Sequence, residues 1–234
     1  MSSVTYNGIS LTQISSVANG NTERAALFYL INPASGTHNI VVTLAVASRF
    51  IGGAYSYTGV NQATPLGTSA SAIGNSSTSS VTISSATNEL VVDVLARRGD
   101  LANNPITVGA GQTQRWNRVT TINNANNGEA GTGSSKTGQT STLMAWSWIN
   151  NRQWVAIGVS LKPAPPADTT PPLRSNALPN GTLPFGTTQT TMSLTTNENA
   201  TCKYGANPNT AYASMPNTFT TTGASALGNF PTKL

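Results

Sequence analysis

The stretch QWVAIGVSLK, Gln153–Lys162, places Val155, Ile157, Val159 and Leu161 at every second position. A period of two puts these four side chains on one face of an extended strand and Trp154 on the other. The stretch HNIVVTLAVA, His38–Ala47, repeats the pattern, with Ile40, Val42, Leu44 and Val46 on one face and Val41, Thr43 and Ala45 on the other. Working outward, strands are expected at Val4–Tyr6 and Ile9–Ile14. They flank Asn7–Gly8, a pair that suits the two positive-φ positions of a type I′ hairpin turn. Further strands are expected at Arg24–Ile31, Gly53–Thr58, Ser79–Ser84, Glu89–Ala96, Thr113–Thr120 and Thr142–Ile149. Turn residues separate them, and no long segment has a helical apolar period. The expected class is therefore all-β, an antiparallel β-sandwich of jelly-roll type.

Only 8% of the 234 residues are charged, against roughly 25% in an average soluble domain. Ser, Thr, Asn and Gly carry the polarity instead, as suits strands and tight turns at an extracellular surface. The net charge of +5 comes from scattered residues; only Arg97–Arg98 are adjacent. Nucleic-acid binding needs a basic stripe and is not expected. A single cysteine, Cys202, rules out an intrachain disulfide and reads as a small buried residue. No apolar run approaches the roughly 18 residues of a membrane helix. MSSVTYNG has neither the basic nor the apolar region of a signal peptide, so an export signal is expected to be upstream or already removed.

The Pro-rich stretch PAPPADTTPP, residues 163–172, marks a stiff linker. The expected organisation is a jelly-roll sandwich at 1–162, a linker at 163–173 and a small β domain at 174–234, with strands at Thr190–Thr195, Ala200–Tyr204 and Thr218–Thr222. Sixty residues are few for an immunoglobulin-type sandwich of about 100. This unit is expected to be incomplete, either as a fragment or because other strands complete it. Asn123–Thr140 has almost nothing apolar and is expected to be a long surface loop.

Taken in order, VTYNGISLTQI (4–14), LFYLINPASGTHNIVVTL (27–44), AYSYTGVNQATPLG (54–67), NELVVDVLA (88–96), VGAGQTQRW (108–116) and VAIGVSLKP (155–163) resemble a concanavalin A-like lectin/glucanase module of bacterial surface or secreted proteins. TGVNQATPLG is the most specific of these segments. DTTPP (168–172) and SLTTNENATCKYG (193–205) resemble the start of a bacterial immunoglobulin-like or fibronectin type III-like repeat. The resemblance implies a jelly roll, an extracellular or cell-surface location and a lectin-like or adhesive role. Such modules have one or two strands before the position matching Val4. Their absence points to a fragment, or to strands supplied by a neighbouring chain.

Glycoside hydrolysis normally needs two carboxyls about 5–9.5 Å apart. Of the seven acids, only Glu89 and Asp93 share a strand face, roughly 13 Å apart along it. Catalysis is not expected. Asp93, on an apolar strand, reads first as a structural carboxylate; Asp93 and Asp100 are weaker candidates for a calcium ion, and no cofactor is otherwise implied. The lone His38 has no partners for a triad or a zinc site. The remaining signal is aromatic. Trp116, Trp146, Trp148 and Trp154 and the strand with Tyr55 and Tyr57 offer flat surfaces for a sugar ring, or large rings for a core. Trp116, Arg115, Trp146, Trp148, Trp154 and Tyr57 are the candidate ligand contacts. Trp116, after a Gly loop, is expected to be the most exposed, so that its loss weakens sugar binding with little thermal effect. The expected function is noncatalytic binding or adhesion to a glycan or cell-surface polysaccharide. The alternative is a structural spacer or subunit of an extracellular fibre, adhesin or phage-like appendage, self-associating through open sheet edges.

Overall fold

The computed structural model describes residues 3–120, 128–205, 207–219 and 225–231, the last stretch by backbone alone. The chain divides into two compact units, Met1–Pro166 and Ala167–Leu234. The first contains β1 (Ser3–Tyr6), β2 (Ile9–Ser10), β3 (Thr12–Asn19), β4 (Glu23–Tyr29), β5 (Ile40–Thr43), β6 (Ala70–Ser84), β7 (Leu90–Arg98), β8 (Thr107–Val108), β9 (Thr113–Val119), β10 (Glu129–Thr137) and β11 (Ser141–Leu161). The second contains β12 (Arg174–Leu178), β13 (Gln189–Thr196), β14 (Lys203–Tyr204), β15 (Asn217–Thr218) and β16 (Ser225–Pro231). The protein is all-β. No helix among the described residues is long and apolar enough to cross a membrane.

The Asn7–Gly8 turn forms as expected. Both residues have positive φ, 49° and 78°, and Tyr6 pairs with Ile9 across it. β1 joins β2 on one side and β5 on the other, while β3 and β4 form a separate hairpin. The main sheet runs β6-β11-β7-β10-β9, antiparallel throughout, and β8 also pairs with β11.

β11 is one strand where the sequence suggests two, Thr142–Ile149 and Gln153–Lys162. Its pairing with β6 shifts register between Ser147 and Arg152. The Trp146 indole N–H donates to Asp93 Oδ2 at 2.7 Å, yet the partner of Asp93 along β11 is Gly158. A straight strand would hold Trp146 and Gly158, twelve residues apart, roughly 40 Å away from each other. β11 must therefore bend back at the irregularity, as strands do at bulges. The loosened amides there find a side-chain acceptor: Ile149 and Asn150 N–H donate to Asn104 Oδ1 at 2.7 and 3.2 Å. Arg97, fully buried, donates to the carbonyls of Arg98, Asp100 and Asn104, and lies 5.5 Å from the Trp148 ring. Burial lowers the guanidinium to about 10, with Arg152 adding to the effect; Asp100 and Glu23 oppose it.

Both faces of the second half of β11 are covered. Trp154 and Ala156 join Val81, Ile83, Val91, Leu95, Met144, Trp146 and Trp148 in the larger core. On the other face Val155 and Ile157 pack against Ala25, Val17 and Leu27 of the β3–β4 hairpin. The alternation in QWVAIGVSLK is that of a strand with two distinct apolar surroundings.

Two expectations are corrected. Gly53–Thr58 is not a strand but a loop. The expected surface loop Asn123–Thr140 is in large part β10, a central strand between β7 and β9; residues 123–127 lie outside the described residues. The reason is volume. A Cβ on Gly131 would stand 3.1 Å from Trp116 Cη2, and one on Gly133 would stand 2.6 Å from Trp116 Nε1 and 2.9 Å from the Asp93 carbonyl. The strand is small because large rings lie on it, so it has no apolar period to read.

In the second unit β13 pairs with β12 and β16, and β14 with β15. Cys202 is buried with Phe219 beside Met192, Leu194 and Tyr204. Of the expected strand Thr218–Thr222, residues 220–222 lie outside the described residues.

Candidate functional site

The six candidate ligand contacts part into two groups. Trp146, Trp148 and Trp154 are 2%, 7% and 6% exposed. Their indole N–H groups are also bonded inside the protein: Trp146 to Asp93, Trp148 to the Ser76 carbonyl at 2.9 Å and Trp154 to Ser76 Oγ at 2.9 Å. A buried indole with its N–H satisfied is core material, and none of the three presents a face to a ligand. Their even spacing in β11 is the spacing of the core side.

Trp116, Arg115 and Tyr57 instead come together with Tyr55, with Arg115 and Tyr55 exposed and the Tyr57 hydroxyl turned inward and buried. β9 carries Trp116 opposite Gly133, and the pairing slips between Gly133 and Ser134. Arg115 falls in that slip, and its Nε donates to Ser135 Oγ at 2.8 Å. The loop with Gly53, Tyr55 and Tyr57 closes over the tryptophan. A Cβ on Gly53 would come within 2.5 Å of Trp116 Cδ1 and Cε2. The Trp116 and Tyr55 side chains are hydrogen-bonded to each other, the indole N–H donating. Tyr55 and Tyr57 are tilted neighbours, with ring centroids 6.0 Å apart at 52°. Burial raises both phenols above their ordinary range, and Arg115 counters this at each. Tyr55 and Arg115 are exposed, whereas Tyr57 and Trp116 are half-buried.

The expectation for Trp116 changes accordingly. Glycines lie against its ring from both the sheet and the loop, so it anchors the loop more than it offers a stacking face. Trp116→Ala is expected to lower stability by about 3 kcal/mol, the low end for loss of a large ring because this one is only half-buried, read as a melting-temperature drop. A melting temperature equal to wild type would show that the loop does not depend on the ring.

The metal candidates are also placed. Asp93 Oδ1 accepts from the Ser134 N–H at 2.9 Å and the Ser134 hydroxyl at 2.6 Å, while Oδ2 accepts from Trp146. Burial pushes its carboxyl up to about 6, against these donors. Its oxygens serve the core, as a structural carboxylate. Asp100 is buried and accepts from the Asn103 N–H at 3.1 Å. No group of three metal-ligating side chains occurs among the described residues. His38 contacts the Ser35 carbonyl at 3.0 Å and meets the Tyr6 ring edge-on.

One acidic pair has no signal in local sequence. Glu23, opening β4, and Glu129, opening β10, hydrogen-bond side chain to side chain. Glu23 is 3% exposed. Burial pushes its carboxyl up to about 9; the bond to Glu129 and its charge add to this, while Arg98 and Arg97 oppose it. Carboxyls in direct contact leave no room for a sugar or a water between them, unlike the spaced pairs of glycoside hydrolases. The pair links the β3–β4 hairpin to the main sheet. Because the folded value lies above the ordinary 4.5, the folded chain holds an extra proton between the two values. This contribution to stability is complete below pH 4.5 and is lost as pH rises toward 9, with a slope of at most about 1.4 kcal/mol per pH unit. Glu23→Gln, which stays neutral, is expected to flatten that decline and to melt higher than wild type at pH 8. Thermal melts from pH 5 to 9 check it, and an equally steep profile in the variant would place the decline elsewhere.

Scans against protein-family models, curated proteins and solved structures returned no match. The functional reading therefore rests on the residues themselves.

Proposed function

We propose that this chain is a noncatalytic extracellular binding module that recognises a carbohydrate through the surface formed by Tyr55, Tyr57, Arg115 and the margin of Trp116. The observation that carries this reading is the partition of the aromatics: three indoles fill the core, and the remaining ring-bearing candidates converge on one surface patch beside a guanidinium. Rings held in place by packing lose little freedom on binding, and a flat ring matches the apolar face of a pyranose. Arg115 adds directed donors for sugar hydroxyls or carboxylates. The resemblance to concanavalin A-like modules supports the same reading.

A glycan-array screen, followed by titration with the best hit, tests it. Arg115→Ala is expected to weaken binding roughly tenfold, about 1.4 kcal/mol, with little change in melting temperature because the side chain is exposed; Tyr55→Ala is expected to weaken binding as much and also to lower the melting temperature, because its hydroxyl lies over Gly133 and accepts from the Trp116 indole. A folded protein that binds nothing on the array, or a hit that both variants bind as tightly as wild type, would defeat the proposal. β5 ends its sheet among the described residues, and this edge favours a second reading, a structural module of an extracellular fibre or appendage completed by strands from neighbouring chains.

A further inference from the structure

Arg115 sits in the register slip of β9, where Gly133 faces Trp116 while the next residue, Ser134, faces Gln114. An extra residue of this kind interrupts the alternation of a strand. Ser135 lies two residues from Gly133, so the two share a face of β10. Arg115 donates from Nε to Ser135 Oγ at 2.8 Å, and Trp116 stands opposite Gly133. Two neighbours in sequence thus reach one side of the sheet, the side on which the Tyr55 hydroxyl lies over Gly133. The bond at Nε fixes the guanidinium and leaves its four Nη donors. None of them meets a protein acceptor among the described residues, and the side chain is exposed.

No carboxylate of the chain is paired with this charge. Glu23 and Glu129 hydrogen-bond each other, and so do Asp168 and Glu198. Glu89 accepts from the Ala86 N–H, and Asp93 accepts from Ser134 and Trp146. Asp100 is buried and accepts from the Asn103 N–H. That accounts for all seven acids. Arg118, also exposed and opposite Gly131 on the face of Trp116, adds a second positive charge along the strand.

We infer that the ligand of this surface is an acidic glycan, and that Arg115 selects it by holding a sugar carboxylate on its Nη donors. This rests on the carbohydrate reading and narrows the ligand to uronate-type sugars. A planar guanidinium meets a carboxylate with two parallel charge-assisted bonds, a match that a hydroxyl cannot offer. A neutral sugar would leave most of that donor set to water. A uronic acid carries on one ring both features that the surface fits, a carboxylate and the apolar face of a pyranose. Tyr55 and Tyr57, whose phenols feel the charge of Arg115, supply the rings for that face.

The test titrates the full chain with pectate, alginate and hyaluronan, each beside its carboxyl-reduced, neutral form. At least one acidic polymer is expected to bind about tenfold or more tighter than its reduced form. Added salt is expected to weaken binding of the acid and to spare the reduced form. Arg115→Gln is expected to bring the two forms within about twofold of each other, by weakening the acid. Arg115→Lys keeps the charge without the planar fork and is expected to restore only part of the preference. Both substitutions change an exposed side chain, so both variants should fold, which thermal melts verify. A preference for the acid that persists in Arg115→Gln would overturn the role of Arg115. Reduced forms that bind as tightly as the acids, and lose binding in Tyr55→Ala, would overturn the acidic ligand while upholding carbohydrate recognition. Dextran sulfate or duplex DNA bound as tightly as the best uronate would overturn it too, by showing attraction to any polyanion. Binding of none of the three polymers in either form overturns the acidic ligand, and only a glycan array that is also blank removes the carbohydrate reading.

Discussion

Trp146→Ala is expected to cost the first unit about 4 kcal/mol, within the usual range for emptying a large buried ring site. The ring is among the largest side chains in the core, and its N–H is one of three donors to Asp93. Truncation would open a cavity against Ile83, Leu95 and Met144, and would also leave a buried carboxylate one donor short. It would further remove the contact by which the first half of β11 reaches the strand it folds over. For a unit of this size the melting temperature should fall by roughly 10 °C or more. Trp146→Phe separates the two contributions. It keeps most of the volume and loses the bond to Asp93, so it should fall between wild type and alanine. A Phe variant as stable as wild type would mean that the hydrogen bond contributes nothing.

Arg97→Met is the second large effect, with an expected loss of about 3 kcal/mol. The buried guanidinium gathers the carbonyls of Arg98, Asp100 and Asn104, and Asn104 in turn caps the amides of Ile149 and Asn150 at the bend in β11. A methionine fills much of the same space but leaves three carbonyls without their donor, and bonds to a charged donor contribute about 1.5–3 kcal/mol each. Part of the loss should be recovered through relief of burying the charge. Equilibrium denaturation measures the sum, and hydrogen exchange at Ile149 and Asn150 reports whether the bend loosens first. Unchanged stability would remove Arg97 from the account of the bend.

Local pattern revealed the strands whose two faces meet different surroundings. QWVAIGVSLK shows an alternating apolar face, and NELVVDVLA is legible as a short run apolar on both faces with Asp93 inside it. Asn7–Gly8 was legible because its backbone geometry belongs to those residue types. What local pattern could not show is how volume is shared between strands. β10 reads as a loop because Trp116 and Tyr55 supply the bulk that its glycines lack. The Asn150–Asn151 pair in β11 reads as a break between strands, whereas it lies at an irregularity within one. The candidate site was legible in part. Trp116, Arg115 and Tyr57 do come together, but nothing local distinguishes an indole bonded to Asp93 or Ser76 from one facing solvent. The Glu23–Glu129 contact joins residues far apart in the chain, so no spacing announces it.

The claim on which the functional reading turns is that one aromatic group meets the ligand while three are sealed in the core. The four indole N–H resonances report on it directly in a two-dimensional NMR titration with the best array hit. The Trp116 resonance, beside Tyr55 and Arg115, is expected to shift in step with ligand occupancy, while those of Trp146, Trp148 and Trp154 stay in place. Shifts led by the three core indoles, with Trp116 unmoved, would contradict the account.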